Sequence, residues 1–223
     1  MAFALILPAS RTWIDVPSGE KAVAEADRVA MLLRADYERW SRWALGLVCF
    51  AGSVLGVFVI GGMLDAIVAL GGAVALVDLI AIVIAAVVAL AGAVGLVRLW
   101  LTGRTLARAA TEWLRLPYRQ GGRARRGGGW VLARTTNFDP PIFARLTTAT
   151  LAFLLAIGGV ALALRDVAAG SFVGLSAAAG LVGTIALVCA LGQVGGVVRI
   201  VSGVSEGDPI WHRVRSAFVR SDG

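Results

Sequence analysis

WALGLVCFAGSVLGVFVIGGMLDAIVALGGAVALVDLIAIVIAAVVALAGAVGLVR, residues 43–98, is the stretch whose reading decides the fold. From Trp43 to Val97 it carries only two charged side chains, Asp65 and Asp78. A helix of about 20 apolar residues crosses roughly 30 Å of hydrocarbon, so this run holds two crossings with a turn near its middle. Gly61-Gly62, Asp65 and Gly71-Gly72 mark the turn, which predicts crossings over 43–63 and 73–100. Asp78 lies one crossing length before Arg98, about 30 Å along a helix. It is therefore expected at the opposite membrane interface, with no mechanistic role.

The pattern returns after residue 142. Phe143–Leu164 reads as a third crossing, Arg165-Asp166 with Gly170 as a short turn, and Ser171–Ile200 as a fourth. The expected fold class is an all-α integral membrane protein: four transmembrane helices as two hairpins, with cytoplasmic amphipathic helices. Composition agrees. The 223 residues are 58% hydrophobic and 16% charged, with mean hydropathy +0.82, whereas soluble domains carry roughly 25% charge. The halves resemble each other weakly, Gly92–Arg98 against Gly192–Arg199, as a parallel repeat would. Gly52 and Gly56 in the first crossing, and Gly192 and Gly196 in the fourth, are small residues spaced for close helix packing.

Between the halves lies a basic connector. Nine arginines from Arg104 to Arg145 face only Glu112 and Asp139. The second crossing is expected to run on as a helix until Pro117. Leu106, Ala110, Trp113 and Leu114 form its apolar side; Arg104, Arg108, Glu112, Arg115 and Arg119 form the opposite one. Residues 121–129 add Arg123, Arg125 and Arg126 among five glycines. Asp139-Pro140-Pro141 reads as the cap and start of the third crossing. Four roles compete for the arginines. Retention of the loop on the cytoplasmic side ranks first. Binding of anionic lipid headgroups ranks second, an acidic partner protein third, and nucleic acid last, because no nucleic-acid fold surrounds the tract. The candidate partner- or lipid-binding residues are Arg104, Arg108, Arg115, Arg119, Arg123, Arg125 and Arg126.

The first crossing is preceded by two further segments. Residues 1–17 form an apolar strap too short to span and too short for a signal-peptide core, with Pro8 and Pro17 breaking helix on either side of Trp13. Residues 18–42 read as an amphipathic helix capped by Ser18. Its apolar stripe is Val23, Ala26, Ala30, Leu33, Tyr37, Trp40 and Ala44. The remaining boundaries are 43–101 and 142–202 for the hairpins, 102–141 for the connector and 203–223 for the tail. The tail holds the only histidine, His212, without a second metal ligand nearby. Cys49 and Cys189 both fall in apolar segments and read as buried thiols rather than a disulfide framework.

The net charge of +7 is distributed one-sidedly. The two short turns carry Asp65, Arg165 and Asp166, while every other basic residue lies in the termini, the connector or the helix ends beside them. The positive-inside rule then places both termini and the connector in the cytoplasm of a bacterial inner membrane. Neither a catalytic triad, a zinc motif, a Walker loop nor a Rossmann fingerprint is present, so the expectation is a protein without enzymatic activity, cofactor or metal. The leading class is a structural or accessory subunit that packs on other membrane proteins, or on itself, and docks a partner or anionic lipid through the arginine face. A homo-oligomeric channel, pore or small transporter comes second, and a membrane-anchored effector or signalling module third.

Overall fold

A computed structural model describes residues 5–15, 20–120, 140–171 and 173–204. Every regular element among them is helical: α1 (Pro8–Arg11), α2 (Glu20–Glu38), α3 (Trp40–Ala69), α4 (Leu76–Arg119), α5 (Pro140–Ala168) and α6 (Gly174–Val204). Four of the helical stretches are long and apolar enough to cross a membrane. At 1.5 Å per residue, the 44 residues of α4 extend about 66 Å. The expected cap Ser18 and start signal Asp139 lie outside the described residues.

Three boundaries differ from the sequence reading. Gly61, Gly62 and Asp65 do not turn the chain; they belong to α3, which runs on to Ala69. The turn uses Gly71 and Gly72, whose φ angles of 81° and 83° lie in the left-handed region open to glycine at no steric cost. Pro117 does not end α4, because it sits in the last turn and the helix closes two residues later at Arg119. Pro8 starts a helix rather than breaking one, at a position where the missing N–H costs nothing.

The chain divides into two compact units. The first comprises residues 1–42, 100–145 and 194–223. Its core joins Ala26, Val29, Ala30, Leu33 and Tyr37 of α2 to Leu106, Ala107, Ala110 and Trp113 of α4, with Ile6 and Ile200. The apolar stripes read from both helices are thus mostly the buried ones; Val23 and Leu114 are half-buried, and Trp40 and Ala44 are exposed. Trp40 is exposed because α2 stops at Glu38 and α3 restarts at Trp40, which shifts the helical phase. The strap packs on this core. Trp113 Nε1 donates to the Trp13 carbonyl at 2.8 Å with the two indoles edge to face, 5.8 Å between centroids. The Leu7 N–H donates to Asp36 Oδ2 at 2.9 Å, and Asp36 is buried.

The second unit comprises residues 43–99 and 146–193. It is held by helix backbones in close approach. A Cβ on Gly56 would stand 2.5 Å from the Ala85 carbonyl oxygen and 2.8 Å from Ala89 Cβ, so α3 and α4 touch where only glycine fits. The facing pairs run in opposite directions along the two helices, Gly56 against Ala85 and Ala89, and Gly46 against Leu99. Gly61 meets Gly174 and Ala178 of α6, and Gly159 of α5 meets Ala179 and Gly183 of α6.

Polar groups in this unit bond between helices or cap them. Asp65 accepts the N–H groups of Gly174 at 2.5 Å and Leu175 at 2.8 Å; it caps the first turn of α6 from another helix, where a carboxylate also meets the positive end of the dipole. Asp78, third in α4, accepts the Ala75 N–H at 3.0 Å and caps its own helix. Ser176 donates to Asp166, Ser53 reaches the Ala89 carbonyl at 3.3 Å, and Thr148 bonds Gln193 at 2.8 Å. Losing the cap strands two amide donors, so Asp65→Ala should destabilise the protein by about 1–2 kcal/mol. Thermal unfolding in detergent would register this as a lower midpoint, with Asp65→Asn intermediate because its amide oxygen still accepts.

Candidate functional site

The site is built in the first unit on the polar side of α4. Four of its arginines, Arg104, Arg108, Arg115 and Arg119, recur at helical spacing opposite the buried stripe of Leu106, Ala110 and Trp113. Burial of that stripe fixes the rotation of α4 and therefore which way the arginines face. Across from them runs the end of α6. Gly203 sets the approach: a Cβ there would come within 3.2 Å of Thr111 Cα and of Leu114 Cδ1. Thr111 Oγ1 bonds the Ala107 carbonyl at 2.8 Å and the Arg199 carbonyl at 3.1 Å. Ser202 Oγ donates to the same Arg199 carbonyl at 2.7 Å.

These helices border an open cavity of about 320 Å³ lined by Arg108, Thr111, Glu112, Arg115, Gly195, Val198, Arg199 and Ser202. Three guanidinium groups and one carboxylate line it. Glu112 accepts from Arg119 at 2.9 Å and pairs with Arg115 at 3.8 Å, so it offsets the charge of Arg115 within the cavity. Arg108 and Arg199 have no ion pair among the described residues. Instead, the charges of Arg108 and Arg104 act repulsively on Arg199. Arg104 lies over the Trp100 ring, 5.5 Å from its centroid, and both Trp100 and Leu101 are exposed.

The structure thus brings Arg108 and Arg115 to one cavity, keeps Arg104 beside it, and turns Arg119 to Glu112. Arg123, Arg125 and Arg126 lie outside the described residues. Of the packing glycines, Gly56 is in backbone contact, and Gly52 is in ordinary contact with Val88, where a Cβ would lie 3.6 Å away. Gly196 leaves room for the Tyr37 hydroxyl, which any Cβ would strike; Gly192 is half-buried within α6. Sequence reasoning missed Arg199 as a cavity residue, since it was read as the end of a crossing. Its one-turn spacing from Gly195 and Ser202 was the available signal.

A second basic cluster was misread more deeply. Arg42 and Arg145 belong to the basic residues from which orientation was read, yet both are buried. Arg42 donates to the Leu5 carbonyl at 3.0 Å and to Thr102 Oγ1 at 2.5 Å. Arg145 donates to the Tyr37 carbonyl at 2.7 Å and stacks over the Tyr37 ring, 4.5 Å from its centroid. The two guanidinium groups repel, and the Asp36 carboxylate offsets this at Arg42. This cluster ties strap, α2, α3, α4 and α5 together; it is an internal clamp, not a surface for partners.

Compared with known proteins, the chain matches no family model, no curated protein and no solved structure.

Proposed function

We propose that this chain is a non-enzymatic, multi-pass protein of a bacterial cytoplasmic membrane. It crosses four times as two hairpins, with its termini and arginine connector inside, and acts as a structural or accessory subunit. The observation that carries the reading is a contrast between the units. In the second unit, leucine, valine and isoleucine side chains of all four long helices point outward, among them Val48, Leu55, Val87, Leu90, Ile157 and Val188. Ser53, Asp65, Thr148 and Gln193 of this unit bond from helix to helix. An apolar surface of that extent calls for lipid or protein cover. In the first unit, exposed arginines line one side of a helix whose other side is buried. An apolar exterior packs on lipid and neighbouring membrane proteins, while an arginine face docks phosphate headgroups or an acidic partner.

The test is gentle detergent extraction of the native protein, followed by mass measurement and identification of what co-purifies. Stoichiometric recovery within a larger membrane complex is expected. A symmetric homo-oligomer that conducts ions in liposomes would replace this reading with a channel.

A further inference from the structure

We infer that the cavity between α4 and α6 binds a phosphate group, with Arg108 and Arg199 as its donors. This deepens the lipid-docking part of the proposed function and rests on that part alone. Three observations carry it. First, the hydroxyl hydrogens of Thr111 and Ser202 are already directed at backbone carbonyls. They shape the walls, so the remaining donor capacity belongs to the guanidinium groups of Arg108 and Arg199, each with five N–H donors in a fork that matches phosphate oxygens. Second, Arg108 and Arg199 converge with no carboxylate of their own among the described residues and under mutual repulsion. Like charges gathered in one cavity favour a multivalent anion, and phosphate satisfies several donors at once. Third, apolar side chains are exposed on both helices: Val198, which lines the cavity, is 59% exposed, and Trp100, eight residues before Arg108 on α4, is 46% exposed. Trp100 lies under the next arginine of the ladder. A tryptophan beside arginines is the side-chain arrangement of a membrane interface.

The phosphate has two possible carriers, an anionic phospholipid or a soluble phosphate, and one experiment separates them. Purified full-length protein is titrated with phosphatidylglycerol or phosphatidylcholine in nanodisc or mixed micelle, and separately with inorganic phosphate and pyrophosphate. Binding is read by native mass spectrometry and by the shift in unfolding temperature. Binding of phosphatidylglycerol alone identifies the lipid headgroup; binding of the inorganic anions identifies a soluble ligand; both outcomes support the site.

Two variants locate it. Arg108→Gln with Arg199→Gln should weaken binding roughly 30-fold, about fivefold for each basic residue removed. Gly195→Leu should block binding without altering charge. A Cβ at Gly195 meets nothing within 4 Å, so the leucine fills the cavity mouth, and replacing a mid-helix glycine keeps or raises the unfolding temperature of the unliganded protein. Arg28→Gln, an exposed arginine of α2, is the control of equal charge per substitution and should bind as the parent does. If none of the ligands binds, or if the parent, the double variant and Gly195→Leu bind alike, the inference is overturned. Equal loss in Arg28→Gln also overturns it, because that marks general charge attraction. The membrane topology does not depend on any of these results.

Discussion

Arg42→Ala lowers the stability of the folded protein by about 3 kcal/mol, the largest loss expected from any single charged side chain here. The substitution strands the Leu5 carbonyl and the Thr102 hydroxyl, which Arg42 holds at 3.0 and 2.5 Å. It also removes one of the cations near the buried Asp36 carboxylate, Arg39 at 3.7 Å being another. Breaking a buried pair typically costs roughly 3–5 kcal/mol; relief of the repulsion between Arg42 and Arg145 places this case at the lower end. Arg42→Lys should recover only part, since a single ammonium is a point donor and cannot span both acceptors as the planar guanidinium does. Denaturant unfolding in detergent micelles measures all three proteins. Parent-like stability in Arg42→Ala would mean the clamp contributes nothing.

Gly56→Leu should be comparably damaging by a different route. The first carbon of any side chain there would overlap the Ala85 carbonyl oxygen and crowd Ala89. Backbone cannot swing aside as a side-chain tip can, so α3 and α4 must separate, and the overpacking costs about 3 kcal/mol or more. Gly158→Leu on α5 is the matched control. Nothing lies within 4 Å of a Cβ at Gly158, and exchanging glycine for a better helix former is worth up to about 1 kcal/mol in favour. Opposite signs of the two changes in one unfolding assay would separate steric packing from helix propensity.

Much of the architecture was legible in the sequence because it rests on periodicity and length. Apolar runs announced four long helices, and the stripe of Leu106, Ala110 and Trp113 announced that α4 continues as an amphipathic helix. What escaped is what depends on partners far along the chain. Asp65 read as a turn residue because an acid amid apolar residues signals a loop; its partners, the α6 amides, are more than a hundred positions away. Gly61-Gly62 read as a turn for the same local reason, although Gly61 serves helix contact. Arg42 and Arg145 could not be told from solvated arginines, because a charge pattern carries no record of burial. Arg108 and Arg115 were legible as one face of α4, but the cavity was not, since half of its wall comes from Arg199 and Ser202 on α6.

The central claim is that four helices cross a membrane with their arginine-rich ends on one side. Single cysteines placed at Val74, Ser171 and Gln120, in a background with Cys49→Ala and Cys189→Ala, test it most directly. A membrane-impermeant maleimide applied to intact spheroplasts should label Val74→Cys and Ser171→Cys. Gln120→Cys, at the end of the arginine ladder, should react only after the membrane is opened. Labelling of Gln120→Cys from outside, or protection of the other two positions, would contradict the account.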